Sequence, residues 1–229
     1  MPTRQKILMF SSGFLTSFGA FIVICSVLAT QEWIRSTIAI NDPSSNGSVI
    51  ISYGLFRGKS IQELNHGLAE SDKDFEVLRK LNDSSQKVLH VVVILFLVLS
   101  LSTTLLSAGF TFYNSVSNPY QTFLGPVGVY TWSGLSASFV FVAMMLFVGN
   151  IQSNHLSEEL AQTLYPLYST ATHKGTAHSY GYSFWLLLLI ILLNIATVVI
   201  IIFYQKARYQ WKQEQRKPVE YAPKDGILF

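Results

Sequence analysis

Four long apolar runs divide the chain, at 7–29, 88–113, 127–149 and 183–204, and the polar residues collect between and beyond them. The fourth, Ser183 to Tyr204, reads SFWLLLLIILLNIATVVIIIFY and holds no Asp, Glu, Lys, Arg or His. As a helix rising about 1.5 Å per residue it reaches roughly 33 Å, enough to cross a hydrocarbon core of about 30 Å. Its Leu, Ile, Val and Phe residues each favour insertion by roughly 0.3–0.6 kcal/mol near the span centre, so Asn194 alone does not reverse the sum. The pattern therefore predicts four transmembrane helices. Val27-Leu28-Ala29 looks like a peptidase site. The run before it, however, exceeds the roughly 7–15 apolar residues of a signal-peptide core, which predicts an uncleaved anchor.

Charge sets the expected orientation. Lys206, Arg208, Lys212, Arg216 and Lys217 follow the fourth run, and Arg4 and Lys6 precede the first. By the positive-inside rule the N-terminus (1–6), the short loop (114–126) and the tail (205–229) are cytoplasmic. The loops 30–87 and 150–182 are then extracellular. The sequons Asn46-Gly47-Ser48 and Asn82-Asp83-Ser84 both fall in the first of these, so Asn46 and Asn82 are the expected N-glycosylation sites.

The first outer loop reads as a folded cap. Trp33–Ile40 and Ser48–Tyr53 are rich in β-branched residues and flank the turn cluster at 41–47, predicting a strand pair. Ser71–Leu81 places Phe75, Leu78 and Leu81 at helical spacing, predicting a helix. The fold class is thus an all-α transmembrane four-helix bundle under a small extracellular, β-containing cap from the first loop. His90 lies at the outer edge of the second run and is expected to meet interfacial water. In the second outer loop, Ser157–Gln162 opens a short helix continuing from the third span. The tail is expected to lose helical order after a turn or two.

Chemistry is sparse. Half the residues are hydrophobic and 13% are charged, and the net charge of +3 comes mainly from the tail, so no nucleic-acid partner is expected. A lone Cys25 excludes an intrachain disulfide. His155, His173 and His178 with Glu158 and Glu159 have no compact metal-ligand spacing. No phosphate loop, nucleophile elbow or paired-carboxylate arrangement occurs, and the span centres lack the ionisable groups that pumps need. The chain is therefore expected to be neither an enzyme nor a cofactor carrier. Asn194 is read as helix-to-helix glue, worth roughly 0.6–2 kcal/mol. Gly13, Ser17 and Gly19 in the first span, and Gly134 and Ser138 in the third, suit close helix approach or are simply tolerated in lipid. Ile227-Leu228-Phe229 matches an extended ligand for a C-terminal-peptide-binding domain, although short termini match such patterns easily.

Trp33 and Tyr53-Gly54-Leu55-Phe56-Arg57-Gly58 resemble the Trp and Gly-Leu-aromatic signature of claudin-like four-span proteins. The paired loop cysteines of claudins themselves are absent. Tetraspanins, with a large cysteine-rich second outer loop, fit less well. The chain more closely resembles the clarins. The landmarks are Met1-Pro2, Trp33, the motif at 53–58, Gly125-Pro126-Val127-Gly128-Val129-Tyr130, His155-Leu156-Ser157-Glu158 and Ser183-Phe184-Trp185. That resemblance implies a glycosylated four-span membrane protein with an organising role, whose relatives are associated with sensory hair cells, their actin-rich bundles and synapses; the plasma membrane is its expected location. The lipid bilayer and membrane or scaffold proteins are its expected partners. An auxiliary subunit of an ion channel or pore assembly is the competing expectation.

Overall fold

The computed structural model describes residues 3–42, 45–64, 69–81, 85–117, 125–166 and 173–216. Four helices form the bundle: α1 (Thr3–Ala29), α3 (Ser85–Val116), α4 (Pro126–Gln152) and α6 (Tyr182–Arg216). All four are long and apolar enough to cross a membrane. They pack as a ring in which α1 meets α3 and α6, and α4 meets α3 and α6.

The inward positions recur with alternating steps of three and four residues. In α1 they are Phe10, Gly13, Ser17, Ala20, Ile24 and Val27, and in α6 Leu187, Ile190, Asn194, Thr197, Ile201 and Tyr204. In α3 the series is Val93, Leu97, Ser100, Thr104, Ser107 and Thr111, and in α4 Ser133, Ser136, Val140, Ala143 and Phe147. A repeat of about 3.5 residues keeps one stripe of each helix facing its partners. The stripe is not uniformly apolar. One buried cluster joins the cap-side half of the bundle to the cap, and a second, Phe10, Val129, Ile201 and Tyr204, fills the tail-side end. Between them lies a layer of serine, threonine and asparagine.

The cap is a five-stranded antiparallel sheet in the order β4-β3-β2-β1-β5. The first loop supplies β1 (Ile34–Asp42), β2 (Ser45–Tyr53), β3 (Arg57–Leu64) and β4 (Ala69–Glu76). The second supplies β5 (His173–Tyr180) and the short helix α5 (Leu156–Leu164). The expected strand pair is present as β1 and β2, registered from Ile34 opposite Tyr53 to Asp42 opposite Ser45, and so runs into the turn cluster. Alternate residues point to the core: Ile34, Ser36 and Ile38 on β1, and Val49, Ile51 and Tyr53 on β2. Beneath them α5 buries Leu156, Ser157, Leu160 and Ala161.

Several expectations are corrected. Ser71–Leu81 is mostly strand, with only Val77–Lys80 making one helical turn, α2. Phe75 and Val77 are buried while Asp74 and Glu76 are exposed, a period of two that outweighs the spacing of Phe75, Leu78 and Leu81. The cap also draws a strand from the second loop. The α5 helix does not continue α4. A break at Ser153–His155 separates them, and His155 sits in the left-handed region at φ 52°. α6 runs on to Arg216, because Gln205–Gln215 contains good helix formers and neither Gly nor Pro. Gly134 and Ser138 face outward from the bundle, and a Cβ on Gly134 would meet nothing within 4 Å.

Candidate interaction site: the seat of the cap

The segment from Thr30 to Trp33 is where the cap is seated on the bundle. Trp33 is fully buried, its Nε1–H donates to the Val27 carbonyl at 2.9 Å, and its ring stands edge-on to Phe147 at 4.8 Å. Its backbone is held from both sides. The Trp33 N–H donates to Tyr53 O at 3.2 Å, and the Gly181 N–H donates to Trp33 O at 2.9 Å. The Ser183 N–H donates to Glu32 O at 3.2 Å, and the Thr30 and Ser183 hydroxyls are 2.7 Å apart. Only glycine fits at the two flanks of this clamp. A Cβ on Gly54 would collide with the Thr30 carbonyl, and one on Gly181 with the Glu32 carbonyl.

This geometry accounts for the Trp and Gly-Leu motif in physical terms. Leu55 is buried, and its carbonyl accepts from His90 Nε2 at 2.8 Å. A carbonyl only accepts, so Nε2 carries the proton. His90 is fully buried beneath the motif, not bathed in interfacial water, because the cap closes over the end of α3. Phe56, 43% exposed, projects from the turn between β2 and β3.

A second set of bonds ties both loops together under the sheet. Tyr53 Oη lies 2.8 Å from Ser157 Oγ, which lies 2.9 Å from Ser36 Oγ. The Ser36 hydroxyl is also 2.9 Å from His178 Nδ1. Four elements, β2, α5, β1 and β5, thus share one chain of hydrogen bonds. Burial pushes the Tyr53 phenol well above the usual tyrosine range, against the opposing pull of its Ser157 bond. The phenol therefore stays neutral and keeps its bonding role.

Inside the bundle, the polar layer links all four helices. Ser107 of α3 lies 2.6 Å from Ser133 of α4 and 3.4 Å from Ser17 of α1. Thr197 of α6 lies 2.8 Å from Thr16 and 3.3 Å from Ser17. Ser136 of α4 bonds Ser100 at 2.8 Å and accepts from Asn194 Nδ2 at 3.3 Å. Asn194 also donates to Ile190 O within its own helix at 3.0 Å. The Asn194 contact is legible from sequence, whereas the hydroxyl layer around it carries a fainter signal. Ser100, Thr104, Ser107 and Thr111 recur at four, three and four residues, which is the signal that marks them.

The outward face of the cap carries charge. A cleft of about 470 Å³ is walled by Arg57, Lys59, Asp74, Glu76, Arg79 and Lys80, with residues of opposite charge in register across β3 and β4 at Arg57 opposite Glu76 and Lys59 opposite Asp74. Among the described residues, no three His, Cys, Asp or Glu are grouped to hold a metal ion. His155 lies 3.6 Å from Glu158, and His178 is engaged with Ser36. The backbone of Asn46 lies in β2 opposite Asn41. Asn82, Ile227 and Phe229 lie outside the described residues.

The family model described as Clarin-2-like matches residues 5–202. The chain is 73% identical to Clarin-3 of Homo sapiens and 69% identical to Clarin-3 of Mus musculus, over 100% of both chains in each case. It is 28% identical to Clarin-1 of Homo sapiens over 82% of this chain and 83% of that one. With four membrane-spanning helices beneath a sheet cap in the claudin-like four-span plan, and with these matches along nearly its whole length, the chain belongs to the clarin family.

Proposed function

We propose that this multi-pass membrane protein is a non-enzymatic organiser of membrane complexes, with docking surfaces on both sides of the bilayer. The observation that carries the reading is the construction of the cap. Two separate loops are joined into one sheet, and the clamp on Thr30–Trp33 fixes that sheet to the bundle. Its outer face is therefore a preorganised surface, which lowers the ordering cost of binding a partner. In this reading the protein resides in the plasma membrane with the cap extracellular and glycosylated at Asn46 and Asn82. The basic residues beyond Tyr204 face the cytoplasm, where scaffold proteins or acidic lipids meet them. The family resemblance makes sensory cells of the ear one setting for such an organiser. Proximity labelling of intact cells tests it. Removing the tail, residues 205–229, together with both sequons should change the set of labelled neighbours, and an unchanged set would contradict the proposal.

A second reading, an auxiliary subunit of an ion channel or claudin-like pore assembly, is favoured by one observation. Gly134 and Ser138 leave an open, shallow face on α4 that suits a neighbouring helix. Coexpression that altered a channel's gating or a monolayer's ion conductance, and lost that effect with Gly134→Phe, would support it.

A further inference from the structure

Between α1 and α6, at the tail-side end, the bundle surface opens into a groove of about 610 Å³. Deeper in the membrane the two helices are in tight contact. Thr16 and Thr197 share a hydrogen bond of 2.8 Å, and a Cβ on Gly13 would lie 3.4 Å from Ile201. Nearer the tail, the small side chain of Ala207 leaves space on the outer face. The groove has a polarity gradient along one side of α6. Ile200 and Phe203 line it with Met9 at the apolar end, Ala207 follows, and Lys206 and Gln210 form the polar end. Positions 200, 203, 207 and 210 follow one helix face, so this gradient points along the membrane normal.

Charge sharpens the gradient. Lys206 has no ion-pair partner among the described residues and is exposed. Arg208 stands close enough to Lys6 for their charges to repel. Along the described part of α6 beyond Tyr204, Glu214 is the one acidic residue against Lys206, Arg208, Lys212 and Arg216. An apolar trough ending in the exposed Lys206 ammonium fits an amphiphile with its chain along Met9, Ile200 and Phe203 and an anionic head at Lys206 and Gln210. We infer that this groove binds an anionic glycerophospholipid of the tail-side leaflet. The inference needs only that the helices span a bilayer and is independent of the organiser role.

Native mass spectrometry of the full-length chain tests it, with phosphatidylserine or phosphatidylcholine added to the detergent-purified protein. Wild type should retain one phosphatidylserine in preference to phosphatidylcholine. Lys206→Gln should cut that retention about fivefold, the effect of one basic residue near the membrane surface. Ala207→Phe, which fills the groove without changing charge, should reduce it at least as much. Ser12→Phe, on the facing wall, serves the same purpose should Ala207→Phe fail to fold. Lys212→Gln, outside the groove, should leave retention unchanged. Equal losses with Lys206→Gln and Lys212→Gln, with full retention in the groove-filling variants, would overturn the proposal in favour of diffuse attraction to a basic surface.

Discussion

Trp33, within the clamped segment, and Gly54, pressed against it, determine whether the cap can close. Trp33 fills the space above Phe147 and satisfies its own N–H on Val27, so Trp33→Ala leaves a cavity and should cost about 3–5 kcal/mol. At Gly54 the obstacle is backbone, which has nowhere to move, so Gly54→Ala should cost about 1–3 kcal/mol through overpacking. Gly134→Ala, in open space on a helix, should stay within about 0.5 kcal/mol or stabilise. Thermal unfolding of the three variants in one detergent checks the order. An equal effect of the two glycine substitutions would contradict the clamp.

Tyr53 adds a pH signature. Its folded pKa lies above the unfolded value of about 10, so the folded chain holds its proton longer than the unfolded chain does. The stability this contributes is complete below about pH 10 and is lost as pH rises toward the folded pKa. Tyr53→Phe should flatten that alkaline decline while removing one buried bond, worth about 1 kcal/mol, to Ser157. Unfolding midpoints measured on both sides of pH 10 separate the two effects.

At the level of elements, the legible features were those carried by local pattern. Continuous apolar runs announced the four spans, and β-branched runs around Asn41–Gly47 announced the β1–β2 hairpin. What was not legible depended on distant partners. The β4 strand contains Phe75, whose spacing to Leu78 and Leu81 fits a helix as well as its spacing to Val77 fits a strand. Pairing with β3 settles it. The β5 segment, His-Lys-Gly-Thr-Ala-His-Ser-Tyr, has little intrinsic strand preference and becomes a strand because β1 offers it a free edge. The burial of His90 is hidden for the same reason, since nothing local reveals that Leu55 covers it. The polar layer was hidden by its residues' small size, because serine and threonine hardly lower the apolarity of a span. Its energetic content is measurable. A double-mutant cycle between Asn194→Leu and Ser136→Ala should return a coupling of roughly 0.6–2 kcal/mol, and a coupling of zero would remove Asn194 from the glue.

For the whole molecule, the consequence is that the two loops of the cap behave as one body. Arg35 and Ser179 are directly paired across β1 and β5, and both are exposed on the outer face. Paired residues in an antiparallel ladder lie about 4.5–5.5 Å apart at Cα, within the range a disulfide spans. In a Cys25→Ser background, Arg35→Cys with Ser179→Cys should therefore cross-link the loops under mild oxidation. Arg35→Cys with Ser153→Cys, outside the pairing, should not.

The cap meets partners outside the cell only if the basic end of α6 faces the cytoplasm. The most direct measurement is antibody labelling of an epitope placed after Phe229, on intact and on permeabilised cells expressing the protein at the surface. The account predicts labelling after permeabilisation alone, with an epitope in the cap labelled on intact cells. Labelling of the tail epitope on intact cells would contradict it, because the cap would then face the cytoplasm.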